Sequence, residues 1–124
     1  MNVIKKLVGA MAVVAMALAF SCCSETRPMN ALVVSGQNNH NWQVSHKVLK
    51  LILDNSGMFQ TDIVLTPAKG GDMNGFNPEF DKYDVVVLDY NGDRWSAETD
   101  SAFLQYVRNG GGRGGISCCG QCFC

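Results

Sequence analysis

Residues 84–90 read Asp-Val-Val-Val-Leu-Asp-Tyr, and the uninterrupted apolar centre, Val85 to Leu88, predicts a strand that is buried on both faces. Residues 31–35, Ala-Leu-Val-Val-Ser, form a second run of this kind, and residues 61–66 form a third, short strand candidate. Strands that are apolar on both faces need a covering layer on each side of their sheet. The sequence therefore predicts an α/β domain.

Two segments with helical spacing lie between and after these strands. The first begins at Gln43 and ends before Gly57, and its predicted buried face carries Val44, Val48, Leu51 and Ile52. The predicted solvent-facing side of this helix carries Lys47, Lys50 and Asp54. The second helix covers residues 97–109 with Ser96 as its predicted N-cap, and its first turn contains the acidic residues Glu98 and Asp100.

The resulting order is strand, helix, strand, strand, helix, which predicts a flavodoxin-like open parallel sheet with helices on both faces. After the second helix, a parallel strand should return beside residues 85–88. Residues 113–124 instead read Arg-Gly-Gly-Ile-Ser-Cys-Cys-Gly-Gln-Cys-Phe-Cys, which does not have the composition of a strand. The sheet is therefore expected to be truncated after its third strand and the helix that follows.

Four cysteines close the chain, Cys118, Cys119, Cys122 and Cys124, and three explanations compete for them. A zinc or other soft-metal site and a disulfide staple are two of these explanations, but four ligands within seven residues cannot easily surround one ion. The third is a frameshift near Gly112. With permitted codon choices, the shifted frame of residues 113–124 reads Val-Val-Val-Tyr-His-Ala-Ala-Asp-Asn-Ala-Phe, which supplies the missing strand and a polar loop. We expect the frameshift and no metal site.

The N-terminus has the layout of a secretory signal, because Lys5 and Lys6 precede an apolar run over residues 7–20. Ala-Phe-Ser-Cys at residues 19–22 resembles the lipobox of bacterial lipoproteins, which makes Cys22 the predicted lipidation site. Cleavage without lipidation and a buried core helix are the alternatives. The predicted organisation is a signal peptide over 1–21, a tether over 22–30, the domain over 31–112 and the cysteine-rich tail over 113–124.

The net charge of the chain excludes nucleic acids as partners. The formal net charge is −1, and loss of Lys5 and Lys6 with the signal makes the mature chain more acidic, which is unsuited to binding a phosphate backbone. The protein is expected to be exported and held at a bacterial membrane, in the periplasm or at the cell surface, through its lipid anchor only. The sequence does not determine the oligomeric state.

Two polar loops, at residues 36–42 and 91–95, follow the first and third strands, and the topology predicts that they converge at a ligand crevice. His40 is a candidate acid or base because imidazole titrates near neutral pH, and Asp89 is a second candidate. A binding role for His40 and a turn-capping role for Asp89 are the alternatives. His46, on the following helix, is expected to be structural or solvated.

Sugar binding would use flat apolar rings together with polar groups that bond to hydroxyls. The predicted ligand-binding residues are Asn38, Asn39, Trp42, Tyr90, Asn91, Asp93 and Trp95. Each tryptophan could equally be a loop-packing anchor. Gly110-Gly111-Gly112 matches neither a P-loop nor a dinucleotide fingerprint, so no cofactor is expected.

Three motifs in order carry a resemblance to a known family. They are Ala-Leu-Val-Val-Ser-Gly-Gln-Asn-Asn-His-Asn-Trp at residues 31–42, Tyr-Asp-Val-Val-Val-Leu-Asp-Tyr-Asn-Gly-Asp at 83–93 with Trp95, and Tyr-Val-Arg-Asn-Gly-Gly-Gly at 106–112. Together they resemble the ThuA-like (trehalose utilisation) domain family, whose fold is similar to that of class I glutamine amidotransferases. The family typically continues with Val-Val-Tyr-His-Ala-Ala, as the shifted frame does.

The resemblance implies a role in the utilisation of trehalose-like sugars or sugar derivatives. It covers the first half of such a domain. It leaves open whether the protein is an enzyme. A non-catalytic saccharide-binding module on the same fold is the alternative, and a metal binder that uses the cysteine tail is the third hypothesis. The truncated chain is expected to be impaired in activity and poorly stable, because its third strand would keep an open apolar edge.

Overall fold

The computed structural model describes residues 27–115 of the 124-residue chain. The predicted signal, Cys22 and the cysteine tail lie outside the described residues. The elements in chain order are β1 (Met29–Ser35), α1 (Trp42–Asn55), β2 (Phe59–Leu65), a 3₁₀ turn (Phe80–Lys82), β3 (Val85–Leu88), α2 (Ala97–Arg108) and β4 (Gly112–Gly115). No helix among these residues is long and apolar enough to span a membrane.

The four strands form one parallel sheet in the order β2-β1-β3-β4. The chain moves one way along the sheet from β1 to β2 and the other way from β3 to β4. Because crossover connections between parallel strands are right-handed, this reversal puts α1 and α2 on opposite faces. The predicted flavodoxin-like α/β architecture is therefore confirmed.

The hydrophobic core lies between the sheet and α2. Leu32, Val34 and Val86 line this face of the strands, and an aromatic cluster packs against them: Phe76, Phe80, Trp95, Phe103 and Tyr106. Phe80 and Phe103 meet edge to face with their ring centroids 5.2 Å apart, and Trp95 meets Phe103 in the same way at 5.7 Å. Alternate β1 residues, Ala31, Val33 and Ser35, are fully buried on the opposite side, where α1 packs.

The second helix follows its prediction closely. Ser96 is the N-cap of α2, since its Oγ accepts a hydrogen bond from the Thr99 N–H at 3.2 Å, and Glu98 and Asp100 lie in the first turn. The helix ends at Arg108, and Gly110, two residues later, has φ +92° and turns the chain away from the helix. Its N-terminus is also tied to the core, because the Thr99 hydroxyl donates to the Phe76 carbonyl.

The expected truncation of the sheet after the third strand is wrong. Gly112–Gly115 forms β4 and pairs in parallel with Val85–Leu88 over its whole length. The ladder needs only backbone groups, so a segment without apolar side chains can still close the free edge of β3. The Tyr106 hydroxyl donates to the Gly112 carbonyl at 2.9 Å and helps to position this strand.

The predicted orientation of α1 is also wrong. Val44, Val48, Leu51 and Ile52 are 45–60% exposed, whereas His46 is buried. Lys50 and Asp54, predicted to face solvent, reach strand β2, where Lys50 donates to the Thr61 carbonyl and Asp54 accepts from the Thr61 N–H at 2.9 Å. Because β2 is an edge strand, these two side chains provide partners for backbone groups at the edge of the sheet.

Candidate functional site

The loops after β1 and β3 lie side by side, as the topology predicts. The Asp89 N–H donates to the Val34 carbonyl and the Asn91 N–H donates to the Gln37 carbonyl, both at 2.9 Å. The first bond extends the strand pairing, and the second joins the loops themselves. Polar side chains from both loops therefore share one end of the sheet.

Gln37 is the residue that holds this end of the sheet together. Its side-chain nitrogen donates to the Pro67 carbonyl at 2.8 Å, and its Oε1 accepts from the Asp93 N–H at 2.9 Å. The side chain is 6% exposed, so both ends of the amide are satisfied inside the protein. Gly92 packs so closely on Gln37 that a Cβ at this position would overlap the amide. Gln37 therefore joins the loops that follow β1, β2 and β3.

Asp89 is completely buried and accepts three hydrogen bonds from side chains. His40 Nε2 lies 2.8 Å from Oδ1, and the hydroxyls of Ser45 and Ser35 donate to Oδ2 at 2.6 and 3.1 Å. A buried carboxylate needs such donors, because burying an unpaired charge is costly. The predicted candidates His40 and Asp89 thus make a direct hydrogen-bond contact, in which the histidine side chain is 29% exposed.

This arrangement is not a nucleophilic triad. Ser45 Oγ lies 3.2 Å from the same imidazole nitrogen, Nε2, that faces Asp89. A serine nucleophile requires one imidazole nitrogen to take its proton while the other is held by the acid. Ser45 instead donates its proton to Asp89, so the chemistry that the group supports is proton transfer by His40.

A cleft of about 650 Å³ opens beside this network. Its wall contains five of the predicted site residues: Asn38, Asn39, Trp42, Asn91 and Asp93. The remaining wall residues are Gly36, Gln37, Leu65, Thr66, Ala68, Lys69 and Gly92. The wall includes four side-chain amides and one half-buried indole, which is a lining suited to a ligand that carries hydroxyls.

His46 and Asn38 make hydrogen-bond contacts that stabilise the cleft wall. His46 Nδ1 lies 2.5 Å from the Trp42 carbonyl, and the two rings are 6.0 Å apart. His46 is buried, so its predicted structural role agrees with its place in the fold. Asn38 Oδ1 accepts from the Asn39 N–H at 2.8 Å, whereas Asn38 Nδ2 is buried and has no hydrogen-bond partner in the described structure.

The other predicted ligand-binding residues contribute to packing and loop structure. Trp95 is 3% exposed and its ring lies within the aromatic core, 5.7 Å from Phe76. This is the loop-packing role that the sequence left open for it. Tyr90 packs 5.7 Å from Trp95 and donates to the Asp93 carbonyl at 2.5 Å, and its burial raises the pKa of its hydroxyl. Asp93, which is part of the cleft wall, also accepts from the Gly70 N–H at 2.6 Å.

Sequence reasoning missed Gln37, Ser35, Ser45 and Lys69. Ser35 and Gln37 directly follow the apolar part of β1, and Ser45 lies in the first turn of α1, so all three occupy the carboxyl edge of the sheet where polar side chains are informative. Lys69 brings a positive charge to the cleft wall from the loop after β2. That loop carried no motif that singled it out.

No cluster of three or more metal-binding side chains occurs within residues 27–115. The four tail cysteines that suggested a metal site, and Cys22, fall outside that range.

Comparison with known proteins yields one strong similarity. No family model matches the chain, and no curated protein matches it. A crystal structure of a protein from Parabacteroides merdae ATCC 43184, described as ThuA-like, is 59% identical in sequence with a TM-score of 0.68. The match covers 69% of this chain but 31% of that protein, so the chain spans about a third of the length of the structure it matches. The similarity supports the ThuA-like resemblance.

Proposed function

We propose that the chain is the N-terminal part of an exported ThuA-like domain that processes a sugar or sugar derivative. The similarity to the P. merdae protein supports the family, and the predicted relation to the glutamine amidotransferase fold belongs to this proposal. The observation that carries the chemistry is the contact of 2.8 Å between His40 and the buried Asp89, beside a cleft lined by amides.

The roles follow from the geometry. His40 would take a proton from a sugar hydroxyl or carbon, or return one, because imidazole changes charge near neutral pH. Asp89 would orient the ring and balance its positive charge after protonation. Asn39 and Asn91 would bond to hydroxyls, and Trp42 would offer its ring to the apolar face of a sugar. No cofactor is part of the proposal.

Residues 113–124 are proposed to be out of frame, which would impair the protein. Cβ atoms at Gly114 and Gly115 would meet nothing closer than 3.9 Å, and neither residue has positive φ. Strand β4 therefore has room for the valines of the shifted frame, whose side chains would extend the core beside β3. Sequencing the source DNA beyond Gly112 tests this proposal, and an intact frame with no strand-encoding sequence downstream would contradict it.

Export and lipidation at Cys22 are a separate proposal, supported by the charged, apolar and small-residue order of residues 1–22. Growth with a labelled fatty acid tests it. Label should enter the protein and disappear in the Cys22→Ser variant, whereas Cys23→Ser should keep it. Label that persists in Cys22→Ser would contradict the assignment.

The functional test is a panel of trehalose-like disaccharides and oxidised or acidic sugar derivatives, offered to the protein with its reading frame restored. Turnover of at least one compound is expected, and His40→Asn should lower kcat by roughly 10²–10⁴-fold, the usual contribution of an acid–base group. Lys47→Ala, on the exposed side of α1, is the matched control and should keep full activity. Turnover that survives His40→Asn would refute the assigned chemistry.

A saccharide-binding module is the second candidate, because neither His40 nor Asp89 belongs to the cleft wall itself. In that case the restored protein would bind a sugar without converting it. Trp42→Ala would weaken binding in titration calorimetry, whereas His40→Asn would leave it unchanged.

A further inference from the structure

We propose that Ser45, assisted by Ser35, is a positioning residue that fixes the neutral imidazole of His40 in the tautomer with its proton on Nε2. This inference rests on the proposed function, because it explains how His40 would be prepared for proton transfer. Its structural basis is the set of four contacts that join Asp89, His40, Ser45 and Ser35.

The positions of the protons follow from the donors and acceptors. An ionised carboxylate only accepts hydrogen bonds, so the contact of 2.8 Å between Asp89 Oδ1 and His40 Nε2 requires a proton on Nε2. The Ser45 hydroxyl has two acceptors, Asp89 Oδ2 at 2.6 Å and the Trp42 carbonyl at 3.4 Å. It donates to the closer one, Asp89, and therefore accepts from Nε2 across their 3.2 Å contact. Both neighbours of Nε2 are therefore acceptors toward it, and they disfavour the other tautomer.

Nδ1 is then the nitrogen that is left for chemistry. The hydrogen bonds of the His40 ring within residues 27–115 use Nε2, and the side chain is 29% exposed. A neutral ring protonated on Nε2 carries its basic lone pair on Nδ1. Nδ1 is therefore the atom that would accept a substrate proton and later return it.

Ser45 acts through Asp89 as well as through the ring. Asp89 is fully buried, so the carboxylate depends on its three side-chain donors to be fixed in place. Ser45 gives the shortest of these bonds, at 2.6 Å, and is located in the first turn of α1. Its removal would leave Oδ2 with the longer 3.1 Å bond from Ser35 and would free one side of the His40 ring.

His46 provides an internal reference, since the chain contains two histidines. His46 Nδ1 lies 2.5 Å from the Trp42 carbonyl, and a carbonyl only accepts, so the proton of His46 must be on Nδ1. The two histidines are therefore expected to have opposite tautomers in one protein, and a spectrum can compare them under identical conditions.

The test is a long-range ¹H–¹⁵N correlation spectrum of the full chain, labelled at histidine and recorded at about pH 8.5, where unperturbed imidazoles are neutral. We expect the pattern of a protonated Nε2 for His40 and of a protonated Nδ1 for His46. In Ser45→Ala, Asp89 loses its shortest hydrogen bond and holds Nε2 less firmly, so the two His40 nitrogen shifts should move toward each other as the tautomers mix. Ser45→Thr keeps the hydroxyl and should restore the wild-type pattern, and Ser101→Ala on α2 should not change it.

A His40 ring protonated on Nδ1 in the wild-type chain would overturn the proposal without any variant. An unchanged His40 pattern in Ser45→Ala would overturn the role of Ser45. The result is also separable from the proposed function, because the spectrum needs no substrate. A tautomer fixed as expected in a frame-restored protein that converts no sugar would leave the positioning role standing and would reject the enzymatic assignment.

Discussion

Gly36 shows how closely the backbone approaches itself at the candidate site. It has φ +129°, and a Cβ there would lie 2.5 Å from Thr66 Oγ1 and 2.7 Å from the Thr66 nitrogen. The adjacent Ser35 carbonyl accepts from the Thr66 N–H at 2.8 Å, so the loops after β1 and β2 are joined at this point. Only glycine meets both the conformational and the steric requirement.

Gly36→Ala is therefore expected to lower the free energy of unfolding by about 1–3 kcal/mol, the usual cost of a residue forced into a sparsely populated conformation. Denaturant titration measures the change. Gly75→Ala is the matched control, because a Cβ there meets nothing within 4 Å and Gly75 has no positive φ. Equal stability of the two variants would show that the approach to Thr66 is looser than described.

The N-cap of α2 allows a test at the level of one element. Ser96→Ala removes the acceptor of the Thr99 N–H and should lower the free energy of unfolding by about 1 kcal/mol. Ser101→Ala, at an exposed position of the same helix, changes the same side chain without a capping bond and should stay within about 0.5 kcal/mol of wild type. A loss of the same size at both positions would argue against the cap.

The sequence predicted each α-helix and strand of the described chain except β4, but not the 3₁₀ turn, because apolar runs and helical spacing are local signals. It could not predict which side of α1 is buried, since the helix carries a second stripe of helical spacing, Trp42, His46, Leu49 and Leu53, beside the exposed one. The inner side also contains Lys50 and Asp54, which are stabilised there by hydrogen bonds to the backbone of the edge strand β2. These backbone partners exist only once the sheet has assembled.

The candidate site, like the fold, could be predicted only in part from the sequence. Its location followed from strand order alone, and so did the pairing of loops that carry His40 and Asp89. The serines that hold Asp89 were not predicted, because their role depends on the distance between β1, α1 and β3 after packing. The sequence could not show which tryptophan, Trp42 or Trp95, is available to a sugar, since only the fold shows that Trp95 enters the aromatic core.

Three tyrosines make the whole molecule sensitive to alkaline pH. Burial is the main cause that raises the pKa of Tyr83, Tyr90 and Tyr106 above the ordinary value of 10.0. A group whose pKa is raised on folding contributes stability below its unfolded pKa, and this contribution is lost as the pH rises through the folded value. The free energy of unfolding should therefore begin to fall near about pH 10 and continue to fall above it. Tyr106→Phe removes one titrating group and should reduce this fall, and a fall of unchanged size would exclude Tyr106 as a source.

The exposed side of α1 gives a physical reason for the predicted poor stability of the chain in solution. The open edge of β3 is not that reason, because β4 covers it. Leu51 and Ile52 are 59% and 60% exposed, and they continue a stripe with Val44 and Val48. Contiguous apolar surface of this kind favours association.

We expect the chain to associate in sedimentation experiments and the double variant Leu51→Lys, Ile52→Lys to shift toward the monomer. Leu104→Lys is the control, because Leu104 is 51% exposed but lies on α2, away from this stripe. A cooperative, monomeric unfolding transition of residues 24–124 without substitution would contradict the expectation.

The central claim is that His40 and Asp89 act as one acid–base unit, and a double-mutant cycle on sugar turnover tests it most directly. The measurement is kcat for the frame-restored protein with His40→Asn, with Asp89→Asn and with both substitutions. Residues that work as a unit are strongly non-additive, so the double variant should be no slower than His40→Asn alone. Losses that multiply in the double variant would show two independent contributions and contradict the account.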